Sequence, residues 1–206
     1  MIVNEFMAKR LAIALGVPVP LGEVAVFENG DLAWVSALAG RSSIDMPPAS
    51  VAFQRRISKK LMARLLVFDS WINNSDRTDE NLIPDSRGSY WAIDHEQAFF
   101  GDHPVRAESV QAIARAPVMR HLDETAITVT EDLLDAESKK VHLDGPAIAA
   151  VYREEAKLRN LASTEAIDRM YDLLKQRSGN IRTLLQADYA RSGGRGDKAW
   201  GQPHIT

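Results

Sequence analysis

The chain has 206 residues, 45% of them hydrophobic, enough for one sizeable domain, or a small lobe joined to a larger one, around a real core. Twenty-eight acidic against 25 basic residues leave a net charge of −3, so overall charge recommends neither nucleic acid nor an anionic membrane as a partner. Cysteine is absent, which excludes disulfides, thiolate metal sites and thiol nucleophiles. No apolar run approaches the roughly 18 residues that a membrane span needs, and Met1 to Arg10 lacks a signal-peptide pattern, so a cytoplasmic protein is expected.

In chain order, Phe6, Met7, Leu11, Ile13 and Leu15 fall at helical spacing within 4–15, and Gly16 with Pro18 ends that helix. Residues 23–27 and 32–36 read as strands of a hairpin, with Asn29-Gly30 supplying positive backbone angles for a tight turn. Residues 40–50, with two prolines and three serines, read as a connection. Phe53, Ile57, Leu61, Leu65 and Phe68 then mark one stripe along a single long helix over 51–73. Its outer face, Arg55, Arg56, Lys59, Lys60 and Arg64, reads as solvated. A polar loop over 74–81 leads into two short strands, 82–83 and 90–93, around a turn at 84–89. Helical patterns follow over 107–116, 118–125, 130–140, 146–160, 163–178 and 181–190, with Ser163 capping one of them. From Ser192 onward the glycine-rich composition predicts a flexible tail.

Chemistry is concentrated between Asp69 and Phe100. Asp76 and Asn81 stand in the order D-x-x-x-x-N, and Asp94 closes an apolar strand after the next hairpin. Phosphoryl transfer explains the wish for these residue types, because the moving group carries spread negative charge that magnesium must neutralise through a few hard oxygen ligands. Asn81 and Asp94 are candidates to hold that ion. Asp76, on a loop, is a candidate base for the attacking hydroxyl. Each also has a plainer reading. Asp and Asn in loops often cap helices, Glu5 also reads as an exposed acid at a helix start, His95 as a packed or hydrogen-bonded residue, and Trp34, Trp71 and Trp91 as core aromatics.

Trp71, Asn74, Asp76-Arg77, Asn81-Leu82 and Ile93-Asp94-His95, with Asn4-Glu5 and Leu15-Gly16-Val17-Pro18-Val19-Pro20, together resemble the HipA-like kinase domain, over roughly 3–101. A more distant similarity runs to the phosphatidylinositol kinases. The resemblance implies an α+β, protein-kinase-like fold: a small N-lobe of helix plus hairpin and hinge over 1–40, a larger, mostly helical C-lobe over 41–191, and a tail over 192–206. It implies ATP with magnesium as donor and a protein hydroxyl as acceptor, a serine/threonine kinase. By position Glu5 matches the helix glutamate that pairs a phosphate-binding lysine, and backbone groups at Val35, Ser36 and Ala37 match the adenine-binding hinge. No glycine-rich loop and lysine precede Glu5, so a partner chain or upstream sequence is expected to complete the small lobe. Two rivals remain at this point. One is a pseudokinase or regulatory nucleotide-binding module without catalysis; the other is a metal-dependent hydrolase using Asp76, Asp94, His95 and Asp102, with Glu96 and His103 near by.

Overall fold

Residues 2–37, 51–85, 89–101, 107–118, 129–142 and 145–191 are described by the computed structural model. They form eight helices and two antiparallel two-stranded ribbons, the helix-dominated α+β architecture expected from the sequence.

Helix α1 (Ile2–Leu15) buries Phe6, Met7, Leu11 and Ala12, and with them the polar Asn4 and Lys9. Gly16, at φ +71°, ends it in a Schellman arrangement: the Val17 N–H donates to Ala12 O at 2.9 Å and the Gly16 N–H to Ile13 O at 3.1 Å. Arg64 then donates to the Gly16 carbonyl at 2.8 Å, tying this helix end to the core. Strands β1 (Gly22–Val26) and β2 (Leu32–Ser36) follow, paired from Gly22↔Ser36 to Val26↔Leu32. Their connection is the expected tight turn with one difference, that Asn29 does not share the positive backbone angle. Phe27 donates to Asp31 O and Gly30 to Phe27 O, which leaves a three-residue loop in which Gly30 alone has positive φ. Val24 and Trp34 pack inward, whereas Leu21, Val26, Phe27, Leu32 and Val35 are exposed.

The single helix expected over 51–73 is broken into α2 (Val51–Gln54) and α3 (Lys59–Ile72). Ser58 causes the break, because its side chain accepts the Leu61 N–H at 3.2 Å and starts a new helix there. Phe53 and Ile57 are nevertheless buried, so the apolar stripe was read correctly while the backbone was not. Of the basic face, Arg55, Arg56, Lys59 and Lys60 are exposed; Arg64 instead reaches Glu137 at 3.0 Å. After α3 come a 3-10 turn at Asp79–Asn81 and the ribbon β3 (Leu82–Pro84) with β4 (Tyr90–Ala92).

Helices α4 (Ala107–Arg115) and α5 (Glu131–Ser138) stand where the pattern put them. The helix expected over 146–160 is two, α6 (Pro146–Tyr152) and α7 (Glu155–Leu161), whereas the two expected from 163 onward are one, α8 (Thr164–Arg191). Gly179 lies inside α8 without stopping it, since packing against α3, α4 and α5 outweighs its weak helical preference. Ser163 accepts the Ala166 N–H at 3.2 Å, as its sequence position suggested. The connection over 40–50, most of the helix expected over 118–125, and the tail from 192 lie outside the described residues.

Helix α3 is the centre: from Leu65 to Ile72 every side chain is buried, against α8 on one flank and α5 on another. Trp71 donates its indole N–H to Leu174 O at 3.0 Å. The fully buried Arg177 of α8 donates to Ser70 O at 2.5 Å, Ile113 O at 2.6 Å and Ala116 O at 3.0 Å, closing the end of α4 onto α3. Arg177→Met strips these carbonyls of their donor, and an unfolding midpoint in urea should fall by an amount worth about 3 kcal/mol with unchanged slope.

Candidate active site

The site begins at the end of α3. Asn73 takes a left-handed backbone, φ 57°, and its N–H closes the helix on Asp69 O, so the chain turns sharply into 74–78. The Asn73 side chain donates to Phe99 O at 2.7 Å, which ties this corner to the segment after β4. Asp69 has no solvent exposure and holds Asn74 Nδ2 at 3.1 Å, Arg77 Nε at 3.1 Å and Arg77 Nη2 at 3.2 Å.

Arg77 is itself fully buried, and it spends every N–H direction on a partner. Beyond Asp69, its Nη1 donates to Asn81 O at 3.0 Å and Ile93 O at 2.7 Å, and its Nη2 meets His95 Nε2 at 2.9 Å. A guanidinium only donates, so Nε2 accepts and a ring proton sits on His95 Nδ1, which faces Glu5 Oε2 at 3.7 Å. His95 is thus a buried, hydrogen-bonded residue, the plainer of its two readings.

Asn81 is nearly buried, and its Nδ2 donates to Asp76 O at 2.7 Å, which leaves Oδ1 uncommitted among the described residues. The Ile93 N–H donates to Asn81 O at 3.1 Å, so Asn81 and the residue before Asp94 are neighbours across the ribbon. Asp94 has φ 58°, a left-handed conformation that aspartate tolerates better than most residues. It is pinned on both sides: Arg77 holds Ile93 O, and Glu5 Oε1 accepts the His95 N–H at 2.6 Å. Asn4 adds contacts to Glu96 O at 2.7 Å and Ala98 O at 3.0 Å, so the start of α1 grips the whole turn after Asp94.

Two carboxyls depart from ordinary behaviour. Burial pushes Asp94 up, and the negative charges of Glu96, Glu5 and Asp76 push it the same way, against a backbone hydrogen bond from Glu96. Burial also pushes Glu5 up, but its contacts with His95 outweigh that and hold it below the usual value. Burial and neighbouring carboxylates thus both disfavour the charged form of Asp94, a cost that a cation would relieve.

A cleft of about 290 Å³ opens beside these residues. Glu5, Asp94 and His95 line it, together with Trp34, Ser36 and Ala37 from the hairpin and its exit and the apolar Ile83 and Ile93. Lys9 also faces it, with its ammonium on Gly22 O at 2.8 Å and 5.1 Å from the Trp34 ring centre. Burial, then the Arg10 charge, draw its pKa down, against the pull of Glu23 and Glu5.

Among the candidates from sequence, Glu5, Ser36, Ala37 and Asp94 thus share one cleft. Asp76 and Asn81 adjoin it through the ribbon and the charge felt at Asp94 without lining it. Val35 is half exposed and lies outside the lining, because strand alternation turns Trp34 and Ser36 toward the cleft. The Ala37 N–H is already spent on Leu21 O. Glu5 is engaged by His95 rather than by a lysine and is largely buried, unlike an exposed acid at a helix start. Among the described residues no group of three or more acidic or histidine side chains is arranged to hold a metal, and Asp102 and His103 lie outside them. What stands here is one carboxylate and one free amide oxygen, the sparse donor set that magnesium takes when phosphates and waters complete its shell.

A family model for HipA-like kinases matches residues 1–130. The chain belongs to the HipA-like kinase family. No curated protein matches it. Membership carries kinase-type phosphotransfer at the level of the family, and among the described residues no helix is long and apolar enough to cross a membrane. In this HipA-like kinase two groups escaped sequence reading. Arg77 enters the sequence pattern only as part of a motif, and Lys9 enters it not at all; for Arg77 the available signal is Asp69, a lone acid in an apolar helical run, which demands a buried partner.

The sign of the Asp94 shift yields a test. A carboxyl raised in the folded state costs stability once it ionises, a cost absent below its ordinary value of 3.8 and complete above its raised one. Asp94→Asn should therefore melt higher than the parent protein at neutral pH without added cation. The gap should close as pH falls toward about 4. A thermal melt of both proteins across that range measures it.

Proposed function

We propose that this HipA-like kinase transfers the γ-phosphate of ATP to a serine or threonine hydroxyl of a protein, with Asp76 as base and Asn81 and Asp94 holding magnesium. The observation that carries the reading is the place of Asp94 in the lining of a cleft, directly after Ile93, whose N–H bonds the Asn81 carbonyl and so brings Asn81 to the same corner. Such a cleft suits a base lying on Ile83 and Ile93 with its phosphates toward Asp94. When bound, the metal supplies neutralisation of the charge that develops on the transferring phosphoryl group.

The chain's own residues supply the rest. Asn81 and Asp94 offer one oxygen each, from just beyond the same end of the ribbon, where the Ile93 N–H meets the Asn81 carbonyl. Backbone groups around Ser36 and Ala37 border the base, with Val35 behind them. Asp76, half-buried on a loop held by the Asn81 amide, accepts the proton of the attacking hydroxyl as its oxygen bonds to phosphorus. Glu5 secures the backbone next to Asp94.

Binding without transfer is the reading to beat, favoured by the commitment of Glu5 to His95 rather than to a lysine. Transfer of labelled phosphate from ATP separates the two. Asp76→Asn should lower the rate by about 10² to 10⁴ with nucleotide affinity little changed, whereas Asp94→Asn should abolish transfer and the magnesium dependence of nucleotide binding together. Full activity in both folded variants would remove the assignment.

A further inference from the structure

We propose that Arg77 is the positioning residue of the phosphotransfer site: it meets no substrate, but its guanidinium fixes the spacing between the Asn81 and Asp94 oxygens, and His95 carries that constraint to α1. The proposal rests on the reading of Asn81 and Asp94 as metal ligands.

Three features of the geometry carry it. First, one terminal nitrogen, Nη1, donates both to the carbonyl of Asn81 itself, at 3.0 Å, and to that of Ile93, the residue before Asp94, at 2.7 Å. The two ligands thus hang from a single atom rather than from separate parts of the fold. Second, the opposite edge of the guanidinium is anchored on both oxygens of Asp69, a residue of α3 with no solvent exposure, so that atom cannot drift. Third, Nη2 continues to His95, whose own N–H is held by Glu5; Asp94 is clamped between the Ile93 and His95 contacts in a left-handed conformation that the chain would not favour unaided. Burial of so many donors on one side chain does not by itself require a role in chemistry. The choice of partners does: of five acceptors contacted, two are the carbonyls that frame the ligands and a third belongs to the residue after Asp94.

Lysine cannot replace this fork. It offers three protons from one point, and a lysine that keeps the charge beside Asp69 must release at least one of the framing carbonyls. Groups that orient metal ligands typically change metal affinity by about 10- to 100-fold when removed.

The test is calorimetric titration of the full chain with ADP over a series of magnesium concentrations. In the parent protein ADP binding should depend on magnesium. In Arg77→Lys the magnesium needed for half-maximal effect should rise by about tenfold or more, while ADP binding without magnesium stays as it was. His95→Phe, which removes one acceptor and leaves Arg77 in place, should give a smaller rise in the same quantity, and His95→Gln, which restores an acceptor, should reverse much of it; these variants decide the matter if Arg77→Lys does not fold. Ile148→Ala, a core truncation in α6, should lower the melting temperature without changing the magnesium requirement. An unchanged requirement in folded Arg77→Lys, or in His95→Phe, overturns the positioning role and leaves the ligand assignment standing. A rise of equal size in Ile148→Ala overturns it too, since the requirement would then follow stability alone. ADP binding in the parent protein that ignores magnesium, or is absent, overturns both.

Discussion

A guanidinium cut off from water must find an acceptor for each N–H or cost several kcal/mol. The buried pair of Arg77 and Asp69 meets that demand by recruiting backbone carbonyls from two separate stretches of chain, the 3-10 turn and the strand end before Asp94, together with the His95 ring. Attraction between the two charges does little more than offset their desolvation. What the pair adds is specificity, because only one arrangement of loop 74–81 and ribbon β3–β4 satisfies every donor. Its neighbours repeat the device at lower cost, with Asn4, Glu5 and Asn73 each ending on a carbonyl or amide of the turn after Asp94. The polar groups of this region form one connected set, and such sets tend to be all or nothing.

Helices built on an apolar stripe were legible in the sequence, as was the order of helix, polar loop, hairpin and Asp94 at the heart of the site. Errors fell where a local hydrogen bond competes with periodicity. Ser58 starts a helix in the middle of an unbroken stripe, so periodicity alone fused α2 with α3. The opposite error occurred at Gly179, where a residue poor in helices is carried by α8 packing along three neighbours. The Asn29-Gly30 pair signalled a hairpin correctly but promised one positive φ too many, since one suffices once three residues make the turn.

The candidate site was legible as a list and not as a shape. Spacing selected Asp76, Asn81 and Asp94, and the family pattern added Glu5 with the strand at Ser36 and Ala37. Nothing in a linear pattern says that Glu5 reaches across some ninety positions to the amide beside Asp94, or that Lys9 turns toward the same cleft. Contacts of this kind depend on how α1 docks against α3 and the ribbon, and one sequence carries no direct record of that packing. Val35 illustrates the limit well: it lies in the strand that borders the cleft, and its face is decided by a two-residue alternation whose inward side becomes known only once α1 is in place.

The exposed apolar side chains of the β1–β2 hairpin bear on how the protein behaves in a tube. Leu21, Val26, Phe27, Leu32 and Val35 present oily surface on a narrow ribbon, with the lone charges of Glu28 and Asp31 at its tip. Salts that strengthen water's aversion to such surface favour clustering of copies through this ribbon, and mild chaotropes or dilution oppose it.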